Sequence, residues 1–174
     1  MYVIGNGFDL MHGVRSSYYD FGSTLGKNSN IRITLENYLQ VDDLWADFEG
    51  ALAKINVEAM SQPYILDNLL DVMGAYEEDA QAADFFAAAE MAASPATELS
   101  RELKNRFTKW ICCLQVNTID RPLKELIRNG KFLDFNYTEF IEELYGVQRN
   151  DICYIHGCRK KKKGEPREKL ILGH

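Results

Sequence analysis

The sequence predicts an α/β protein with a small, mainly parallel β-sheet at the two ends of the chain and a large helical insertion between them, from about residue 29 to residue 129. The first observation behind this prediction is a set of short apolar runs typical of strands, at residues 2–4, 132–135 and 152–155, with a further candidate at residues 170–172. The second is a helical pattern at residues 139–145, because strand, helix, strand is the unit of a parallel sheet. The third is helical periodicity in the middle of the chain.

Length and composition fit a single domain that spans residues 1–174. The chain is 46% hydrophobic, and a domain of this size buries roughly 70% of the surface that its unfolded chain exposes. The net charge of −6 argues against a protein that holds nucleic acid through an overall positive charge. No apolar run approaches the roughly 20 residues that span a bilayer, and the N-terminus does not resemble a signal peptide. We therefore expect a soluble, cytoplasmic protein with no membrane partner.

The cysteines are expected to be reduced thiols. Cys112 and Cys113 are adjacent, and no CxxC motif occurs. Cys153, His156 and Cys158 carry zinc-binding side chains, but their spacing fits no common structural site and a fourth ligand is not evident. We therefore predict no metal site.

Local signals predict helix boundaries in the middle of the chain. Ser94 followed by Pro95 is typical of an N-cap and a first helical residue, so a helix is expected to begin there. Asp120 with Pro122 predicts a further short helix. Residues 45–49 favour an amphipathic helix with a solvated acidic edge over a carboxylate site.

A glycine-rich loop with polar side chains follows the first strand. Gly5 and Gly7 allow a sharp backbone turn with uncovered N–H groups, which a phosphate or another anion can approach. Asn6, Asp9 and His12 are candidates for side-chain contacts to the same ligand. The spacing differs from the common dinucleotide-binding motif, and a tight turn that caps a helix explains the loop equally well.

Polar side chains follow all three predicted strands. Asn6, Asn136 and His156 come just after the strands, and the carboxyl ends of parallel strands lie at one edge, where α/β folds bind ligands. Structural alternatives remain open for the last two. Asn136 and Glu139 have the spacing of a capping box, and His156 before Gly157 fits a turn histidine bonded to the backbone.

Five short blocks follow one another in order along the chain: residues 4–13 with Ser17 and Tyr18, residues 45–49, residues 135–138 with Glu142 or Glu143 and Tyr145, residues 155–157, and residues 172–174. Together they resemble the AbiH-like abortive infection proteins of bacteria and their phage-defence systems. The resemblance implies a role in defence against phage in which the infected cell is sacrificed. Members of that family typically continue past the last block, so this chain is expected to be a shortened form or a fragment.

Three segments also resemble, more distantly, the motifs of sirtuin-like NAD-consuming domains: Gly5-Asn6-Gly7, Asn136-Tyr137-Thr138 and His156-Gly157. This resemblance implies a Rossmann-like, sirtuin-like sheet and NAD as substrate or ligand. It implies that the glycine loop cradles the pyrophosphate, that Asn136 positions a water or the ribose, and that His156 acts as general base on a ribose hydroxyl. The remaining residues assigned to nucleotide binding are Asp9, His12, Thr138 and Gly157.

The predicted function is that of a nucleotide-binding phage-defence effector that hydrolyses NAD at the nicotinamide–ribose bond. One alternative is a nucleic-acid-directed effector that uses the basic loop at residues 159–169, because clustered lysines neutralise phosphates. In that alternative Asp9, Asp47 and Glu49 are conceivable metal ligands of a nuclease, although charge runs are usually solvated loops. A non-catalytic nucleotide sensor is the other alternative. The sequence leaves a phage-derived trigger and a homo-oligomer open as partners.

Overall fold

The computed structural model describes residues 1–39, 43–67, 73–74, 81–116, 123, 130–161, 164 and 168–172. The chain divides into two compact units. The first unit, called the sheet unit below, combines Met1–Thr24 with Arg106–His174. The second, the helical unit, is Leu25–Asn105.

A three-stranded parallel sheet forms the centre of the sheet unit, with strands β1 (Tyr2–Ile4), β2 (Phe132–Asp134) and β3 (Ile152–Tyr154) in the order β1-β2-β3. The register pairs Ile4 with Asp134 and Asp134 with Tyr154, so the three carboxyl ends are level. The pairing continues one residue further, because the N–H of Phe135 donates to Ile4 O and that of Ile155 to Asp134 O, both at 2.9 Å. The predicted small parallel sheet is therefore confirmed.

The prediction of a fourth strand at residues 170–172 is wrong. These residues form no strand, although the N–H of Ile171 donates to His156 O at 3.0 Å. This contact is made to the turn after β3 and not to a strand, so the segment does not extend the sheet. The apolar side chain of Leu170 is instead buried in the core.

Seven helices are described: α1 (Asn6–Met11), α2 (Tyr18–Thr24), α3 (Asn30–Tyr38), α4 (Phe48–Leu52), α5 (Val57–Asp67), α6 (Ala82–Cys113) and α7 (Phe140–Tyr145), with a 3-10 turn at Arg149–Asp151. Helix α7 ends at Tyr145, where the predicted helical pattern at residues 139–145 ends, and its C-cap Gly146 has a φ of 69°, the left-handed conformation that favours glycine. The core of the sheet unit is aromatic and aliphatic, with Phe21, Phe107, Trp110, Phe140 and Ile141 among its buried side chains.

The long helix α6 overturns the predicted helix start at Ser94 and Pro95. The helix begins at Ala82 and continues through Pro95. The alanine-rich segment before the proline has a high helix propensity, so the helix persists despite the cost of about 3 kcal/mol for an internal proline. The predicted helix at Asp120 and Pro122 lies outside the described residues.

The acidic block at residues 45–49 caps a helix. Asp47 is the N-cap of α4, and its Oδ1 accepts the N–H of Gly50 at 3.1 Å. Trp45 stacks on Phe48 with the ring centroids 5.3 Å apart, but it precedes the helix. A Cβ at position 50 would overlap the Asp47 carboxylate, which explains the glycine there. The block therefore has a structural role in the helical unit.

All four cysteines are free thiols. Within the described part of the chain, no helix is both long enough and apolar enough to cross a membrane.

Candidate functional site

The carboxyl edge of the sheet brings together buried polar residues from α1, β2 and the turn after β2. Asp9, Asp134, Asn136 and Thr138 are all buried. Two of them were predicted from their position after a strand or in the glycine loop, and Thr138 from the motif that contains it. Asp134 was not predicted.

Asp9 and Thr138 connect α1 to the turn after β2. The Thr138 hydroxyl donates to Oδ2 of Asp9 at 2.7 Å. The other carboxylate oxygen, Oδ1, is buried and makes no hydrogen bond with any described residue. Burial raises the pKa of Asp9 to about 6, although the hydrogen bond from Thr138 acts in the opposite direction. One oxygen is thus held in place, and the other is buried without a donor among the described residues.

Asp134 ends β2 and organises the turn that follows. Its Oδ1 accepts the backbone N–H of Asn136 at 2.7 Å. Burial, with a smaller contribution from the negative charge of Asp9, raises the pKa of Asp134 to about 7, although the hydrogen bond from the Asn136 N–H acts in the opposite direction. The signal in the sequence was a carboxylate inside the apolar run at residues 132–135. Two carboxyl groups with raised pKa values therefore lie close together at this edge.

Asn136 does not cap α7, so the capping-box alternative is wrong. The N-cap of α7 is Glu139, which makes no side-chain cap hydrogen bond. Asn136 is only 4% exposed, and its Nδ2 makes no hydrogen bond with any described residue. The amide lies near enough to Asp134 to lower the pKa of that carboxyl group, but the geometry falls short of a hydrogen bond. A buried N–H donor with no acceptor is uncommon in folded proteins.

His156 lies in the turn after β3 and is 6% exposed. Its ring stacks on Tyr137 with the centroids 5.5 Å apart, and it meets Phe135 edge-on at 5.7 Å. Tyr137 in turn donates its hydroxyl hydrogen to Ile171 O at 2.8 Å. The imidazole is thus placed by aromatic contacts from the turn after β2.

The family model described as "Bacteriophage abortive infection AbiH" matches residues 1–174. The chain belongs to the AbiH family. Membership implies a role in abortive infection by bacteriophage, and it confirms the prediction made from the five sequence blocks. No curated protein and no solved structure gives a significant match.

In this AbiH protein, both ring nitrogens of His12 are hydrogen-bonded within the fold. The ring is fully buried, with Nδ1 2.7 Å from Phe8 O and Nε2 2.7 Å from the Tyr145 hydroxyl. A carbonyl oxygen can only accept, so Nδ1 carries the hydrogen, and in the neutral ring Nε2 accepts from Tyr145. Both ring nitrogens are occupied. His12 therefore holds α1 against α7 and presents no free nitrogen to a ligand.

The prediction that Gly5 and Gly7 allow a sharp backbone turn is wrong. Gly5 is extended, with a φ of −141°, and Gly7 lies inside α1. Neither has a positive φ. A Cβ at either position would meet no atom within 4 Å. The absence of side chains here leaves open space beside the backbone. Asn6 between them is exposed and accepts the hydroxyl hydrogen of Ser16 at 2.5 Å.

Gly157 has a structural reason to be glycine. Its φ is +78°, and a Cβ there would lie 2.8 Å from the Lys169 carbonyl oxygen. A Gly157→Ala substitution is therefore expected to destabilise the protein by about 2 kcal/mol or more. The matched control is Gly146→Ala, because Gly146 has a similar φ of +69° but open space around it. Thermal unfolding of both variants measures the effect, and equal losses would contradict a contribution from the contact with Lys169.

The basic loop does not present a uniform charged surface in this AbiH protein. The Arg159 side chain, 12% exposed, forms a double ion pair with Glu139 and donates to backbone carbonyls at the end of α6. Lys160 lies 3.8 Å from Glu142 and 4.0 Å from Glu143. Lys162, Lys163 and Arg167 lie outside the described residues. Arg159 is thus committed to the fold and not to phosphate contacts.

A second, half-buried polar network supports α7 and was not predicted. Arg149 pairs with Glu142 at 2.8 Å and with Glu168 at 3.0 Å, and the Tyr154 hydroxyl donates to Glu142 at 2.8 Å. Burial raises the pKa of Tyr154 above its usual range, and burial also raises that of Cys158. The Cys158 backbone N–H donates to Glu168 at 2.9 Å. The network joins segments far apart in sequence, so no local pattern could have revealed it.

Proposed function

We propose that this AbiH family member acts in abortive infection by binding a nucleotide at the carboxyl edge of its sheet and by hydrolysing NAD at the nicotinamide–ribose bond. The observation that carries the proposal is the buried Nδ2 of Asn136, without a hydrogen-bond partner among the described residues, beside the buried carboxyl group of Asp134, whose pKa is in turn raised by the charge of Asp9. Polar groups that lack partners inside a fold are characteristic of sites that meet a ligand. The open space beside Gly5 and Gly7 adds support, because it leaves the backbone accessible at the same edge.

The proposed reaction breaks the bond between the ribose carbon and the nicotinamide nitrogen. The electron pair of that bond returns to the nicotinamide ring, and positive charge develops on the ribose carbon. A water molecule then adds to this carbon and releases a proton. The products are ADP-ribose, nicotinamide and one proton. The step needs fixed negative charge near the ribose and a group that orients the water or a ribose hydroxyl.

The residues at the edge suit these needs. In the proposal, Asn136 orients the water or the ribose, and His156 accepts a proton from a ribose hydroxyl as the bond breaks and returns it once the water has added, since a neutral imidazole nitrogen can act as a base. The carboxylate of Asp9, joined by that of Asp134 once the pH exceeds its pKa of about 7, stabilises the positive charge that develops, an effect that burial strengthens because the local dielectric is low.

The test is a calorimetric titration of NAD into the purified protein, with product analysis by chromatography. Sustained heat and the release of nicotinamide are expected for the wild-type protein. Asn136→Ala and His156→Ala are each expected to lower turnover by about a hundredfold or more, the size of effect found when one positioned catalytic group is removed. The matched control is Gln148→Ala, which removes an exposed amide after α7 and should leave turnover unchanged.

Each of the other possible outcomes contradicts a part of the proposal. Saturable binding without turnover contradicts hydrolysis and favours the nucleotide sensor. Turnover that survives Asn136→Ala, with the fold intact by circular dichroism, contradicts the assigned site. An absence of heat at any NAD concentration counts against NAD as ligand and makes RNA and DNA the next ligands to titrate.

A further inference from the structure

We infer that a cavity in the helical unit is a binding site for a short aliphatic diamine, a ligand in which a methylene chain joins two ammonium groups. The cavity has a volume of about 460 Å³, within the range of small-molecule sites. The inference is independent of the proposed function, because the residues that line the cavity belong to Leu25–Asn105, whereas Asn136 and His156 belong to the sheet unit.

Three helices of the helical unit supply the apolar part of the cavity wall. Helix α3 contributes Ile31, α5 contributes Met60 and α6 contributes Leu99, and all three side chains are buried. Pro63 and Pro95 add their ring carbons to the same wall. A methylene chain that lies against this surface is removed from water, so the wall favours a ligand with an apolar stem.

The polar part of the wall is negatively charged. Among the described residues that line the cavity, the polar side chains are two carboxylates, two hydroxyls and one amide: Glu98, Glu102, Thr34, Tyr38 and Asn30. None of these lining residues is a Lys, an Arg or a His. The wall therefore repels phosphates and carboxylates and attracts cations.

The prolines in the wall leave two backbone acceptors on the same helices. Pro63 lies inside α5 and Pro95 inside α6, and proline has no N–H to donate. The carbonyl oxygens of Ala59 and Met91, four residues earlier on the same helix faces, therefore lack the donor that a regular helix supplies. An ammonium group donates hydrogen bonds and accepts none, so it suits a wall in which acceptors predominate.

The spacing of the two carboxylates specifies two ammonium groups. Glu98 and Glu102 are four residues apart on α6, so their Cβ atoms lie on one face about 5–6 Å apart. Like charges at this spacing destabilise a helix, and a dication bound between them removes the repulsion. Arg101 lies 3.4 Å from Glu98, but these side chains are 73% and 69% exposed, so the pair competes only weakly. Four methylenes separate two ammonium groups by a comparable distance.

A divalent metal ion suits the cavity less well than a diamine. The described part of the chain contains no group of three or more His, Cys, Asp or Glu side chains that could hold such an ion. The apolar side chains that form half of the wall offer no oxygen ligands to a metal ion. They do, however, offer a contact surface to methylenes.

The experiment is a calorimetric titration of the whole chain with 1,4-diaminobutane and with butylamine, which has the same carbon chain but only one ammonium group. At equal ionic strength we expect the diamine to bind about tenfold more tightly or better, because butylamine leaves one carboxylate without an ion pair. Glu98→Gln and Glu102→Gln should each lower the affinity for the diamine by about tenfold, for the same reason.

The matched control is Glu90→Gln. Glu90 is an exposed carboxylate on the same helix, outside the set of residues that line the cavity. Its substitution changes the net charge by the same amount and should leave the affinity for the diamine unchanged. Thr34→Phe gives a second test, because the larger side chain fills the cavity while both carboxylates remain, and it should abolish binding. Circular dichroism checks that each variant is folded.

Three results would overturn the inference: equal affinities for the diamine and butylamine, no binding of either, or a loss of affinity in Glu90→Gln as large as in Glu102→Gln. Binding of Mg²⁺ that depends on both lining glutamates, without binding of the diamine, replaces the organic cation with a metal ion and also overturns it. These titrations contain no NAD, so their failure leaves the proposed function unaffected, and a failure of NAD hydrolysis leaves the diamine site unaffected.

Discussion

Replacing Arg159 with methionine is expected to destabilise the protein by about 3–5 kcal/mol, because the substitution leaves a buried carboxylate without its partner. The guanidinium lies 3.0 Å and 3.2 Å from the two carboxylate oxygens of Glu139. Its Nη1 also donates to Ile111 O at 2.9 Å and to Leu114 O at 2.6 Å. These carbonyls lie near the C-terminus of α6, where backbone acceptors lack helical partners. Urea unfolding measures the loss.

Two further variants sharpen this prediction. Lys160→Met is the matched control, because its side chain is 46% exposed and its contacts are 3.8 Å or longer. We expect it to change stability by less than about 0.5 kcal/mol. Adding Glu139→Gln to Arg159→Met should recover part of the loss, because no unpaired buried charge then remains. An Arg159→Met variant no less stable than Lys160→Met would contradict the structural role.

The contrast between Arg159 and Lys160 shows that the sequence of the basic run does not reveal which of its side chains is buried in an ion pair. Residues 159–163 look alike as a cluster of positive charge, and they motivated the nucleic-acid alternative. The first of them faces an acidic N-cap and a helix end that lie 20 and 45–48 residues away in sequence. Contacts over such distances depend on the fold, so charge alone overestimated the exposed basic surface.

The strands were predictable because their signal is local. Each of the three apolar runs in the sheet unit became a strand, and the register then placed their carboxyl ends at one level. The same signal failed at residues 170–172, where apolar side chains serve burial without strand pairing. The predicted helix start at Pro95 was wrong for a related reason. The local signal of the proline was outweighed by the helix-forming sequence before it.

The candidate site was predictable in position but not in chemistry. Asn136 was identified because it follows a strand, and Asp9 because it lies in the glycine-rich loop, and both are buried at the carboxyl edge. Asp134 was missed because an apolar run was interpreted only as a strand. The engagement of both His12 nitrogens depends on Tyr145, which is 133 residues away. Which atoms lack partners can be decided only when all neighbours are in place.

Replacing Asp134 with asparagine is expected to stabilise the protein at pH 8 and to have little effect near pH 4. Burial raises the pKa of Asp134 from 3.8 to about 7, with a further contribution from the charge of Asp9, while Arg149 acts in the opposite direction. Between these two pKa values the unfolded chain is ionised and the folded protein holds the proton. The free energy of unfolding therefore falls as pH rises, and the full penalty applies above pH 7.

The expected gain at pH 8 is about 2–4 kcal/mol, from about 1.4 kcal/mol for each unit of pKa shift. The side-chain oxygen of the introduced asparagine can still accept the N–H of Asn136, so the substitution removes the charge and keeps the hydrogen bond. The control, Asp20→Asn, should behave in the opposite way. Although burial raises the pKa of Asp20, hydrogen bonds from Ser17 and Arg15 lower it overall, so this carboxylate stabilises the fold above pH 4.

Thermal or urea unfolding of both variants at pH 4 and pH 8 measures whether each substitution raises or lowers the free energy of unfolding. An Asp134→Asn variant that is less stable than the wild-type protein at pH 8, or a difference that does not change with pH, would contradict the raised pKa. A carboxyl group that destabilises the folded protein above pH 7 is not explained by folding. Because Asp134 lies beside the unpartnered amide of Asn136, and because the charge of Asp9 makes its ionisation still less favourable, its charge is better explained by the ligand that we propose for this edge.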